Sequence, residues 1–371
     1  VNPPVLLDSL ATRSGLRWGV ATLHAPARLN ALSLPMLQAL APQLAAWAAD
    51  PAIAGVLLQA SGDKAFCAGG DIRGMYHSMQ ASGTGPNLEA QAFFATQYRL
   101  DHAIHSYPKP VLCWGHGIAM GGGLGLMAGA SHRVVTPASR LAMPEISIGL
   151  YPDVGGSWFL RRMPGRVGLF LALTGATLNP ADALFCGLAD YGIEHAHKPT
   201  VLAQLVDTDW TSDAQQNRAT LSHLLATHSC SLPASPVRAH FDQIQQLMAG
   251  DELMDMDARL RALLTLNSGD AWLYSAAASY AQGSPTSAAL AFALWQRVPR
   301  MSLAEVLRLE YQVSLGCCAH PDFAEGVRAL LIDKDRQPRW SPGRLADVSP
   351  EWIAEHFQPR HTGPHPLADL A

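Results

Sequence analysis

Two carboxylates stand eight positions apart, each directly after a proline: Glu145 follows Pro144 and Asp153 follows Pro152. A carboxylate of this kind can serve as a general base or a nucleophile. Ahead of them lies a glycine triplet, Gly121, Gly122 and Gly123. Without a Cβ, backbone can approach a ligand closely. A helix that begins at the triplet would also present unpaired N–H groups carrying partial positive charge. Such donors can hold a carbonyl oxygen that gains charge during acyl transfer. Each feature has a plainer alternative. The triplet also reads as tight helix packing. Glu145 also reads as an exposed turn residue, and Asp153 as an N-cap before Val154-Gly155-Gly156.

The elements that would position these groups can be read from apolar runs. Val111 to Trp114 is a short buried strand, and Leu124 to Ala130 is apolar and helix-prone. His132 to Thr136 and Arg140 to Met143 are β-like. Upstream, Trp18 to Leu23 and Ala54 to Ala60 are apolar strands. Between them Ser33 caps a helix, with Pro35 in its first turn and Leu34, Leu37, Leu40, Ala41, Leu44 and Trp47 at helical spacing. Pro42 is expected to kink or divide that helix. Strand, helix and strand in this order predict a βαβ unit. Gly69 and Gly70 mark a turn, and Asp71 is a candidate cap for the helix that follows. Later, Ser157 is a candidate cap for a helix over Trp158 to Leu173. Asn179-Pro180 opens another helix, which ends at Gly187, and Ser302 with Glu305 makes a capping box. The last thirty residues read as an irregular tail.

Composition bounds the class. The 371 residues are 49% hydrophobic and 15% charged, with a net charge of −4, which is a globular composition without a footprint for nucleic acid. No apolar run reaches the roughly 18 residues of a membrane span. VNPPVLLDSL has neither a charged n-region nor an h-region, so no signal peptide is expected and a cytoplasmic location is. The six cysteines show no C-x-x-C pairing, so a reducing compartment and no metal are expected. Cys67, His116 and His132 read as packing residues. Arg161, Arg162 and Arg166 read as a solvated helix face, although they could meet phosphates.

The motifs LNAL (29–32), AFCAGGDI (65–72), HGIAMGGGLGL (116–126) and MPEISIGLYPDVGG (143–156) resemble the crotonase superfamily, also called the enoyl-CoA hydratase/isomerase family. Three later segments (172–191, 284–291 and 322–340) are similar as well. The resemblance implies an α/β fold: a crotonase-like ββα spiral core over residues 1–235 and a C-terminal helical region over 236–371. It implies an acyl-CoA substrate, of which coenzyme A is a part, and no separate cofactor. No nucleic-acid or membrane partner is expected, and a homo-oligomer is left open. The thioester oxygen would be held by the N–H groups of Ala68 and Gly122. Arg28, Gly69, Gly70, Asp71, Gln97 and Gly121 would line the substrate and CoA site.

Family hydratases place two glutamates on either side of a water. The second corresponds to Glu145, but the first corresponds to Gly125, twenty positions earlier. The hydrolase branch instead has Glu followed eight positions later by Asp, which this chain has. Some family hydrolases carry Glu where this chain has Gln97. The resemblance therefore implies hydrolysis of a short-chain 3-hydroxyacyl-CoA thioester, 3-hydroxyisobutyryl-CoA foremost, as in valine breakdown. Glu145 would attack or act as base, and Asp153 would bind the 3-hydroxyl or move protons. The alternatives are a hydratase or isomerase reaction on another acyl-CoA, or a non-catalytic scaffold subunit.

Overall fold

In a computed structural model of the chain, residues 3–83, 85–265, 270–361 and 363–371 are described. The strands are β1 (Val5–Ala11), β2 (Arg17–Leu23), β3 (Ile53–Ala60), β4 (Ala65–Cys67), β5 (Val111–Gly115), β6 (Ile118–Met120), β7 (His132–Val135), β8 (Arg140–Ala142) and β9 (Tyr191–Gly192). They form a six-stranded sheet, β1-β2-β3-β5-β7-β9, and a three-stranded sheet, β4-β6-β8. β1 runs antiparallel to β2. The pairs β2–β3, β3–β5, β5–β7 and β7–β9 are parallel, as is β4–β6. The pairs β3/β4, β5/β6 and β7/β8 each send the first strand to the large sheet and the second to the small one, and this alternation is the ββα repeat. The expected βαβ unit is β2, the Leu34–Ala49 helix and β3.

The chain divides into two compact units, each discontinuous in sequence. The first comprises 1–70, 100–141 and 178–238. The second comprises 71–99, 142–177 and 239–371. The first holds the large sheet, whose buried side chains include Trp18, Leu57, Leu112, Trp114 and Val134; Trp210, from the loop after the Lys198–Val206 helix, joins the same core. Trp18 meets Trp210 edge to face at 4.9 Å. The second unit is helical, and beyond Gly192 the described residues form helices and loops.

Several local expectations hold. Ser33 accepts from the Met36 N–H, and Met36, Leu37, Leu40, Leu44 and Trp47 are buried. Asn179 with Asp182, and Ser302 with Glu305, make reciprocal capping boxes. Others fail for identifiable reasons. Pro42 does not divide the Leu34–Ala49 helix. Pro42 and Gln38, whose carbonyl loses its donor, both lie on the exposed face, where water can serve that carbonyl. The 158–173 segment is two helices, Gly156–Arg161 and Val167–Thr174, broken by Pro164 and Gly165 (φ 55°). The tail contains a helix, Pro350–His356, because Ser349 accepts from the Trp352 N–H ahead of a first-turn proline.

The glycine triplet shows why no other residue fits. Gly121 is the N-cap of the Gly122–Gly129 helix and has φ 50°. A Cβ on Gly123 would collide with the carbonyl and Cβ of Cys67 on β4. Tight packing therefore accounts for Gly123, and helix geometry for Gly121. We predict that Gly123→Ala destabilises the protein by roughly 1–3 kcal/mol, the usual range for overpacking. A lower urea midpoint would register it, and an unchanged midpoint would show that the Gly122–Gly129 helix can shift off β4.

Candidate active site

In the first unit, the LNAL loop, the FCAGG turn and the glycine triplet are fastened together. Asn30 is buried with φ 55°, a conformation that asparagine tolerates. Its Nδ2 donates to the carbonyls of Ser61 (3.0 Å) and Ala65 (2.9 Å), and its Oδ1 accepts from the Ala25 N–H (2.9 Å). Leu32 N–H donates to the Gly69 carbonyl at 2.8 Å. Gly69 has φ 109°, and its missing Cβ would point to within 3.9 Å of the Gly122 nitrogen. The FCAGG turn and the triplet therefore lie side by side.

The two expected donors differ in state. Gly122 is the first residue of its helix, so its N–H has no acceptor within that helix. Ala68 N–H donates to the Leu29 carbonyl at 3.0 Å. Donation from Ala68 to a ligand must share or lengthen that bond. Arg28 is exposed on a short 3-10 turn, Pro26–Arg28. Gly125 is buried in the Gly122–Gly129 helix. Cys67 is a buried thiol pushed up to about 12 by burial, which makes it inert. His116 bonds the Gly62 carbonyl at 2.7 Å. His132 contacts the Arg218 carbonyl and the Ser222 hydroxyl, so both histidines are packing residues.

The carboxylates lie in the second unit. Glu145 opens a short 3-10 turn, Glu145–Ile148, and is only 5% exposed. Its Oε2 is buried and hydrogen-bonds to none of the described residues. Burial raises the Glu145 carboxyl well above the usual range, and the nearby charges of Asp153 and Glu310 raise it further. The turn ends at Gly149 (φ 74°), where a Cβ would strike the Asp322 carbonyl.

Asp153 is also 5% exposed, and burial pushes it up to about 6. Its side chain is not a helix cap. Gly155 is the N-cap of the Gly156–Arg161 helix, and only the Asp153 carbonyl accepts from Gly156 N–H. The Asp153 carboxyl instead meets the Tyr98 hydroxyl at 2.6 Å. Tyr98 also contacts the Ser314 hydroxyl at 2.7 Å. Ser314 contacts Tyr151 at 2.9 Å, and the Tyr151 hydroxyl donates to the Glu310 carbonyl at 2.7 Å.

Ser157 is not the cap either. The Glu310 carboxylate, from the Leu303–Ala319 helix, accepts from Gly155 N–H (2.7 Å) and Ser157 N–H (3.0 Å). It thereby holds a turn in which Val154, a β-branched residue, has φ 54° and Gly155 has φ 79°. Such strain persists only where surrounding contacts fix it. Burial pushes Glu310 up to about 8, against the opposing effect of those two N–H bonds.

Gln97 is buried on the Leu88–His105 helix, and its Nε2 hydrogen-bonds to none of the described residues. Asp71 sits at the N-cap position of the Ile72–Ser82 helix but makes no capping bond. Arg161 stacks on Trp295 and Arg162 on Trp158, while Arg166 donates to the Met248 carbonyl. Tyr98, Glu310 and Ser314 carry no local motif that singles them out, and Tyr151 lies in the 143–156 motif without being marked there as a site residue. The one available signal was a glutamate and a serine on the inward face of an apolar helix.

The chain belongs to the enoyl-CoA hydratase/isomerase family, whose model matches residues 18–357. A zebrafish (Danio rerio) mitochondrial 3-hydroxyisobutyryl-CoA hydrolase is 38% identical, with 91% of this chain and 86% of the relative covered. A solved carnitinyl-CoA dehydratase from Mycobacterium thermoresistibile superimposes with a TM-score of 0.85 at 35% identity, over 96% of this chain and 97% of that one. An enoyl-CoA hydratase from Rhodobacter sphaeroides 2.4.1 gives 0.83 and 35%, with the same coverage. The fold is thus the crotonase fold. The relatives are described by different reactions, so the site residues must choose among them. Among the described residues no helix is long and apolar enough to cross a membrane.

The raised Glu145 carboxyl has a consequence for stability. A group whose folded value lies above its unfolded value favours the fold while protonated, and that contribution fades as pH rises through the folded value. Each tenfold weakening of an acid on folding corresponds to about 1.4 kcal/mol. Glu145→Gln cannot lose that contribution. It should melt higher than the wild type at about pH 8, with a smaller gap at about pH 5. Thermal melts at the two values check this, and a gap independent of pH would contradict the burial argument.

Proposed function

We propose that the chain hydrolyses a short-chain 3-hydroxyacyl-CoA thioester, 3-hydroxyisobutyryl-CoA foremost, releasing the hydroxy acid and coenzyme A. The observation that carries this reading is the pair of buried carboxyls, Glu145 and Asp153, in a chain with glycine at position 125. Water addition to an enoyl thioester needs one group to place water and another to move a proton. Gly125 withdraws the first of the two acids that family hydratases use. The Glu-to-Asp spacing matches the hydrolase branch, and the zebrafish relative is named for the same reaction.

In this reading the thioester oxygen is taken by Gly122 N–H, with Ala68 N–H sharing its bond to Leu29. Loss of one such donor typically costs a hundredfold or more in rate, about 2.7–4 kcal/mol. Glu145, with its unbonded Oε2, attacks the carbonyl or draws a proton from water. The Asp153 carboxyl binds the substrate 3-hydroxyl and exchanges protons with water and the departing sulfur. Gly69, Gly70, Gly121 and Asp71 lie along the pantetheine, Arg28 meets a phosphate, and Gln97 donates to the acyl end. The six cysteines are all free, which supports the cytoplasm or another reducing compartment.

A site that hydrogen-bonds a substrate hydroxyl rejects the analogue lacking it, because a buried polar group is left unpaired. The wild type should therefore release thiol from 3-hydroxyisobutyryl-CoA much faster than from isobutyryl-CoA, and Asp153→Ala should shrink the ratio. Equal rates on the two esters, or a ratio untouched by the substitution, would remove Asp153 from substrate recognition. Glu145→Gln should lower kcat by about a hundredfold or more while binding persists. A near-normal rate would end the proposed mechanism.

A further inference from the structure

The four contacts from Asp153 to the Glu310 carbonyl form an unbranched chain of oxygens: Asp153 Oδ2, Tyr98 Oη, Ser314 Oγ, Tyr151 Oη and Glu310 O, at 2.6, 2.7, 2.9 and 2.7 Å. Tyr98, Tyr151, Ser314 and Glu310 are all at or near zero exposure, and Asp153 is 5% exposed. The two ends differ. The Glu310 carbonyl can only accept, so the Tyr151 proton is committed to it. The carboxyl end can accept or donate, according to its protonation.

Four contacts need four protons. The three hydroxyls supply three. If Asp153 is a carboxylate, Tyr98 turns its proton to Asp153 and Tyr151 turns its own to Glu310. Ser314 then has one proton for two neighbours at 2.7 and 2.9 Å. One of those oxygen pairs is left at hydrogen-bond distance with no hydrogen between them, in a buried place where an unmade bond is costly. If Asp153 carries a proton, every contact is served in one direction: Asp153 to Tyr98, Tyr98 to Ser314, Ser314 to Tyr151, Tyr151 to Glu310. Such chains also polarise in the same sense.

From this proton count we propose that Asp153 rests as a carboxylic acid, held in that state by the Tyr98–Ser314–Tyr151 hydroxyl chain, with Ser314 as a positioning residue. The proposal rests on the hydrolase reading above and assigns the proton that reading leaves open. As the Glu145 carboxylate bonds to the acyl carbon, the C–S bond of the thioester breaks with its electron pair on sulfur, and the sulfur takes the Asp153 proton. Tyr98 then turns to donate to the carboxylate left behind. The water that completes hydrolysis gives its hydroxyl to the acyl carbon, the bond from that carbon to Glu145 breaks with its electrons on the Glu145 carboxylate, and the water's other proton returns to Asp153. Burial shifts Asp153 toward the acid form, up to about 6, and retention of the proton at about pH 7 rests on the hydroxyl chain. The ionisable groups that face Asp153 are Glu145, Glu310, Tyr98, Tyr151, Cys317 and Cys318. Substitution at Ser314 removes none of these groups; of the six, Tyr98 and Tyr151 lose a hydrogen-bond partner.

The two orientations of the chain give opposite results for Ser314→Ala. With Asp153 as donor, loss of Ser314 leaves the Tyr98 proton without an acceptor. Tyr98 turns back onto Asp153 and favours the carboxylate, so the carboxyl titrates lower. With Tyr98 as donor to a resting carboxylate, loss of Ser314 weakens that donation, and titration stays in place or rises. The readout is the infrared band of a buried carboxylic acid, assigned to Asp153 by its absence from Asp153→Asn and followed against pH without substrate. We expect the band at about pH 7 in the wild type. We expect its midpoint to fall by about one pH unit in Ser314→Ala, the worth of one hydrogen bond, and to fall less in Tyr151→Phe. Absence of the band in the wild type at that pH, or a midpoint unchanged or raised in Ser314→Ala, overturns the proposal. Should Ser314→Ala fail to fold, Tyr151→Phe is judged by the same sign. Thiol release is assayed separately on the wild type. Its absence would end the hydrolase reading without touching the infrared result.

Discussion

Keeping three carboxyl groups away from water in one helical unit is the constraint on which the rest of this site depends. Glu145, Asp153 and Glu310 are each 5% exposed or less. An uncompensated buried charge is expensive, so each group must be neutral, bonded or poised to react. The three are treated differently. Glu310 spends both oxygens on backbone N–H groups, Asp153 meets a hydroxyl chain, and Glu145 keeps one oxygen unbonded. Different surroundings push apart the behaviour of chemically similar groups, and roles in acid–base chemistry are separated in this way. The strained Val154-Gly155 turn belongs to the same arrangement. It is held by Glu310 and directly follows Asp153 in the chain.

On the donor side, backbone does the corresponding work. The LNAL loop turns through two positive-φ residues, Leu29 and Asn30, and Asn30 binds three backbone groups. That loop fixes the FCAGG turn through Leu32 and Leu29. The triplet then divides its tasks: Gly121 supplies a conformation, Gly122 an N–H and Gly123 a close approach. The bond from Ala68 to Leu29 makes the two donors unequal, and Gly122 is the stronger candidate to take up developing charge.

Much of this was legible in the sequence because its causes are local. Short apolar runs pointed to β2, β3, β5, β7 and β8 but not to β1, β4, β6 or β9, side-chain caps three residues from their targets pointed to helix starts, and glycines marked positions where a Cβ would collide. The features that escaped are made by residues far apart in the chain. Glu310 caps a helix that begins more than 150 positions earlier, so Ser157 and Asp153 were the only local candidates. Tyr98 and Ser314 meet from two different helices. Pro42 leaves its helix undivided, with both it and Gln38 on the exposed face. The tail misled because composition outweighed a capping serine followed by proline. Family resemblance named Glu145 and Asp153, but only the structure shows what surrounds them.

In the proposed mechanism, buried Glu145 and Asp153, with glycine at 125, commit this chain to cleaving a thioester rather than hydrating a double bond. The most direct measurement follows free thiol and enoyl absorbance together, on 3-hydroxyisobutyryl-CoA and on a short enoyl-CoA. Stoichiometric thiol is expected from the hydroxyacyl thioester, with no loss of enoyl absorbance from the other. Loss of enoyl absorbance without thiol, or silence on both substrates, would contradict it.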